Sequence, residues 1–92
     1  MILNFKCKET EMLYLHGKSK KFNSIARVAM RKLLMLDAAV NLHDLQILPN
    51  NKLEPLHGDR LGQHSIRIND QYRICFKWHV HDAEYVEIVD YH

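Results

Sequence analysis

Between Asn23 and about Ala39 the apolar residues recur with the period of an α-helix. Ile25, Val28, Ala29, Leu33 and Leu36 fall on one side, while Arg27 and Arg31 share the other. Asn23 or Ser24 is the expected N-cap, because a short oxygen-bearing side chain can accept from the first unbonded amides. A shorter helix is expected over Glu9 to His16, with Met12, Leu13 and Leu15 apolar and Gly17 as its stop. Ile2, Leu3 and Phe5 suggest a short first strand, Lys18 to Lys21 a cationic loop, and Asn41 to Leu48 a further helical turn ended by Pro49 and Asn50-Asn51. After Lys52 the period changes to two. His64, Ile66 and Ile68 alternate with Ser65 and Arg67, and Asn69-Asp70 marks a turn. Tyr72, Ile74, Phe76 and Trp78 then point one way, with Gln71, Arg73, Cys75, Lys77 and His79 pointing the other. The chain turns again at His81-Asp82 into Tyr85 to Val89, a segment apolar enough to be buried on both faces. The pattern predicts an α+β fold, with helices from the first half packed on one face of a mainly antiparallel sheet from the second.

Composition fits a globular domain: 47% hydrophobic, 26% charged and 9% aromatic in 92 residues. That length allows one small core, so residues 1–92 are expected to form a single domain. The apolar runs are too short to span a membrane. Met1 to Phe5 lacks the pattern of a signal peptide, and Cys7 and Cys75 make no disulfide framework, so the cytoplasm is the expected compartment.

Net charge is only +2, but its distribution is uneven. Residues 1 to 36 carry eight Lys/Arg against Glu9 and Glu11, and the remainder carries five basic against nine acidic groups. A basic first third suits either a polyanion such as RNA or an ordinary solvated helix face. If Ile74, Phe76 and Trp78 face the helices, then Arg73, Cys75 and Lys77 line the open face. Arg67, His57 and Arg60 stand close by, and together these residues would give a cationic concave surface.

No Walker-type loop, zinc-finger spacing or nucleophile elbow is present. His79 and His81 share a strand face but lack further ligands at suitable spacing, which favours a solvated turn pair over a metal site. Cys75 reads as a packed thiol rather than a nucleophile, and Trp78 as core rather than a base-stacking ring. The more specific signals are Leu53-Glu54-Pro55-Leu56-His57-Gly58-Asp59-Arg60, then Ser65-Ile66-Arg67, Gln71-Tyr72-Arg73-Ile74, and a strand ending in Asp90-Tyr91-His92. In this order they resemble the HigB ("killer protein") toxins of the RelE superfamily, over essentially the whole chain.

The resemblance implies a microbial-ribonuclease-like fold. It further implies a type II toxin that cleaves mRNA on the ribosome and is neutralised by a HigA-type helix-turn-helix antitoxin, with which it forms a hetero-oligomer. On the matching positions, Arg73 is the cationic active-site arginine, and Asp90, Tyr91 and His92 form the C-terminal catalytic cluster. Two positions depart from the pattern: members can carry His where this chain has Glu54, and Lys where it has His57.

The residues fit that chemistry independently. Attack by a 2′-hydroxyl needs a base, an acid for the leaving oxygen, and positive charge at the phosphate. His57 or His92 can serve as base or acid, Arg73 offers a planar cationic fork, and Glu54 can orient or act as an auxiliary base. Lys52, Arg60, Arg67, Lys77, Arg27 and Arg31 are the candidate RNA-binding cations. The scheme calls for neither metal nor cofactor. Two other readings stay open: a catalytically weak RNA- or ribosome-binding module of the same fold, and a protein that serves only to dock an antitoxin.

Overall fold

The computed structural model describes residues 1–90. Three helices, α1 (Lys8–His16), α2 (Ala26–Ala38) and α3 (Leu42–Gln46), precede four strands. These are β1 (Glu54–Pro55), β2 (Gln63–Arg67), β3 (Tyr72–His79) and β4 (Asp82–Asp90). The strands form one antiparallel sheet in the order β1-β2-β3-β4, so each pairs with its sequence neighbour. Such a meander follows from short connections, since adjacent strands that turn tightly pair with each other. The α+β class read from the sequence is the observed one.

The helices cover one face of the sheet. Leu13, Phe22, Ile25, Ala29, Leu33, Leu36 and Leu45 pack against Ile66, Ile68, Ile74, Phe76, Ala83, Val86 and Ile88, all buried. The α2 stripe is the helical period seen in the sequence, with Arg27 and Arg31 on its exposed side. α1 stops where expected: Gly17 takes φ +72, and its N–H donates to the Leu13 carbonyl at 2.8 Å. α3 begins at a reciprocal cap, in which the Asn41 side chain accepts from the Asp44 N–H and Asp44 accepts from the Asn41 N–H.

Several local expectations are corrected. Asn23 and Ser24 do not cap α2: residues 23–25 form a 3₁₀ turn, and Ile25 occupies the cap position with no side-chain bond. Burial of Phe22 and Ile25 in the core fixes that entry instead. Residues 2–5 form no continuous strand, because only Ile2 and Phe5 bridge in parallel to Ala83 and Val86. A bulge in β4 at Tyr85 interrupts the ladder between the two bridges. The free edge of β4 is nonetheless covered. Leu3 and Lys6 donate to the Ala83 and Val86 carbonyls at 2.8 and 3.0 Å, and the buried Thr10 hydroxyl accepts from the Ile88 N–H at 3.0 Å. Nor is β4 buried on both faces, since Tyr85 is exposed and Val89 only partly covered.

Lys32 was not foreseen as a core residue. It lies on the buried side of α2 and is 6% exposed, with its ammonium donating to Asn51 Oδ1 at 2.5 Å. Burial and the nearby Arg31 and Arg67 hold its pKa below the usual lysine value. Asn51 in turn donates to the Leu45 carbonyl at 3.2 Å, which ties α2, α3 and the turn at residues 49–51 together. No helix among the described residues is long and apolar enough to cross a membrane.

Candidate active site

The sheet face away from the helices gathers the candidate residues by register. Glu54 pairs with Ser65, Ser65 with Cys75, Arg67 with Arg73, and Arg73 with Val89. Paired residues project to the same side, so Glu54, Ser65, Arg67, Arg73, Cys75 and Glu87 share one face.

Arg73 is the centre of this arrangement. Its side chain is only 13% exposed, and its Nη1 lies 3.2 Å from the Glu54 carboxylate. The same nitrogen donates to Ser65 Oγ at 2.9 Å and reaches the Lys52 carbonyl at 3.4 Å. That carbonyl is available because Lys52 adopts a left-handed conformation (φ +44), which turns the chain out of the 49–51 turn and into β1. The turn is held from below by Lys32 and Asn51. A buried lysine thus supports the backbone that helps fix Arg73. Glu54 is more open, at 42% exposed, so the pair presents a carboxylate and a guanidinium edge to solvent.

A second pair lies further along the face. Arg60 donates to Glu87 at 2.7 Å and to Gln63 at 3.2 Å, and Lys6 approaches Glu87 at 3.8 Å. The hydrogen bond to Glu87 is the main reason the Arg60 pKa lies above its ordinary value. Cys75 sits between the Arg73–Glu54 and Arg60–Glu87 pairs, fully buried, and burial raises its thiol pKa. It is an inert packing group rather than part of an open surface. The concave face is therefore less cationic than its arginines suggest, because Glu54 and Glu87 answer two of them. Arg67 likewise bonds Asp70 across the turn, which holds that carboxyl below its usual range.

The remaining candidates are dispersed. His57 is exposed in the segment after β1, and Lys77 is exposed toward the far end of β3. Asp90 pairs with Tyr72, which by register puts it at the helix-side end of β4, and it accepts from Gln71 Nε2 at 3.1 Å. Arg27 and Arg31 lie on the exposed side of α2, on the helical layer rather than the open sheet face. Tyr91 and His92 lie outside the described residues. His79 and His81 are exposed at the hairpin, where His81 Nδ1 is 2.8 Å from the Val40 carbonyl. Among the described residues no three His, Cys, Asp or Glu side chains cluster in a way that could hold a metal ion.

On the open face of this helix-backed sheet a guanidinium able to bind an anion stands beside a carboxylate able to take a proton. The family comparison is specific. Residues 3–92 match the family model described as RelE-like toxin of type II toxin-antitoxin system HigB. The chain is 44% identical over 80 residues to Toxin HigB-1 of Vibrio cholerae serotype O1, covering 85% of this chain and 84% of that protein. It is also 40% identical over 60 residues to an uncharacterized protein of Haemophilus influenzae, covering 65% and 59% respectively. The chain belongs to the HigB family of RelE-like type II toxins. Membership in a toxin–antitoxin system implies an antitoxin as its partner.

Proposed function

We propose that this toxin is a metal-independent endoribonuclease that cleaves mRNA on the ribosome and so halts translation. The observation that carries the reading is the Glu54–Arg73 pair at 3.2 Å on the open sheet face. Glu54 takes the proton of a ribose 2′-hydroxyl as that oxygen bonds to the adjacent phosphorus. The bond from phosphorus to the 5′-oxygen breaks, and the leaving oxygen receives a proton from His57 or His92. The product is a 2′,3′-cyclic phosphate. Arg73 offsets charge on the crowded phosphate and orients the carboxylate, in a position preorganised by Ser65 and the Lys52 carbonyl. Tyr91 stacks on a base or donates to phosphate, and Asp90 orients the terminus.

The acid–base set is sparse and Arg60, Arg67 and Arg73 are already paired with carboxylates, so alignment and capture fall to the ribosome. Arg27 and Arg31, with Lys52, Arg60, Arg67 and Lys77, supply contacts to ribosomal RNA and mRNA. A HigA-type helix-turn-helix antitoxin inhibits by covering cationic surface. The pairing of Arg73 with Glu54 also favours a second reading, a ribosome-binding module with weak catalysis. Primer extension on mRNA from a translating extract separates the two. Codon-phased cuts that require ribosomes, with poor cleavage of naked mRNA, are the expected result. Ribosome binding without cuts would support the binding module, and efficient cleavage of free RNA would remove ribosome dependence.

A further inference from the structure

The open face continues past Arg73. Four residues along β3, about 13 Å at the rise of a strand, Lys77 stands opposite Gln63. With Lys6, Leu61 and Tyr85 these two residues line an open groove of about 460 Å³. Tyr85 reaches it through a β-bulge. Cys75 pairs with Glu87 and Lys77 with Glu84, so β4 carries one residue more than β3 over this stretch.

The bulge sets Tyr85 at φ +53, a left-handed conformation that is costly for a bulky side chain. The fold holds it there: Asn4 Oδ1 accepts from the Tyr85 N–H at 2.6 Å, and the Asn4 carbonyl accepts from the Val86 N–H at 3.3 Å. The result is an aromatic residue left 49% exposed beside Lys6 and Lys77. Lys6, Arg60 and Lys77 stand here against Glu84 and Glu87, and Glu87 is already held by Arg60 at 2.7 Å. An exposed ring with neighbouring ammonium groups, on the same sheet face as Arg73, has the chemistry of a single-strand platform. Every base offers a face for stacking, and the phosphates between bases seek cations.

We propose that this groove is a subsite for single-stranded RNA flanking the scissile phosphate, with Tyr85 stacking on an unpaired base and Lys6 and Lys77 holding adjacent phosphates. The proposal rests on the mRNA-cleavage reading for its biological substrate. The test uses the full chain with two readouts: binding of a short 2′-O-methyl single-stranded RNA, which 2′-hydroxyl attack cannot cut, and cleavage of mRNA on ribosomes. Tyr85→Ala should bind the probe about tenfold more weakly, and Tyr85→Phe should bind as wild type does. Lys77→Gln should lower the salt slope of binding by about one. Wild-type probe binding by Tyr85→Ala would overturn the subsite, as would a loss of antitoxin affinity with RNA binding intact. If cleavage is lost in Arg73→Ala but unchanged in Tyr85→Ala, the enzyme stands and the subsite falls. If the probe binds through Tyr85 but wild type never cuts mRNA, the subsite stands and the cleavage reading falls.

Discussion

The two faces of the sheet are built from different interactions. On the helix side Ile66, Ile74, Phe76, Val86 and Ile88 interlock with α1 and α2, and their burial is the main source of folding free energy. On the open side, one residue away along the same strands, the neighbours are Ser65, Arg73, Cys75 and Glu87, joined by ion pairs and hydrogen bonds. Partly exposed ion pairs contribute little to stability. What they supply is position, since Arg73 and Arg60 are each fixed by a carboxylate and at least one further acceptor. The comparison teaches a division of labour. One set of alternate residues makes the fold, and the other is free to make a site.

Substitution on each face should break that division most visibly. Phe76→Ala removes a fully buried ring and should cost about 3–5 kcal/mol in urea denaturation. Lys77→Gln, the next residue and on the opposite face, should stay within about 0.5 kcal/mol of wild type. Equal losses at the two positions would mean the open face is structural.

A smaller effect tests the helix side for a concealed polar cost. His64 stacks on Phe76 at 6.3 Å, and its Nδ1 is buried with no hydrogen-bond partner. Burial holds its pKa below the ordinary value. The unfolded chain therefore binds more protons than the native one as pH falls through about 6.5, the unfolded value, so stability declines from there until the native imidazole also titrates. Asp44 and Asp70, both held below the normal carboxylate range, titrate under that window. Urea midpoints between pH 7.5 and 5 should fall for wild type and flatten for His64→Leu. Identical slopes would show that His64 does not carry the dependence.

The same division explains what could be read from the sequence. α2 and β3 were legible because burial imposes a period, of 3.6 residues in Ile25, Ala29, Leu33 and Leu36 and of two in Ile74, Phe76 and Trp78. Tyr85 was misread because a one-residue bulge breaks that period. The α2 cap was misread because the cores of Phe22 and Ile25, rather than a polar side chain, set the entry. Lys32 is a charged residue that burial admits only because Asn51 meets it, and no spacing announces such a partner. On the open face, the motif around residues 53–60 and Arg73 stood out by resemblance, yet their pairing did not. Glu54 and Arg73 are 19 positions apart and meet only through strand register, while Arg60 reaches Glu87, 27 positions away, from the turn at residues 58–60. The expected cationic surface overlooked those carboxylates for that reason.

The central claim is that the Glu54–Arg73 pair is the chemical centre of the open face. It is tested most directly by the rate of ribosome-dependent mRNA cleavage in Glu54→Gln, with folding checked by circular dichroism. Glutamine keeps the shape and an acceptor for Arg73 but cannot take a proton, so the rate should fall by about 10²–10⁴-fold. Glu54→His, which restores a group able to accept one near neutrality, should cleave at least as well as wild type. Cleavage by Glu54→Gln at the wild-type rate would contradict the account.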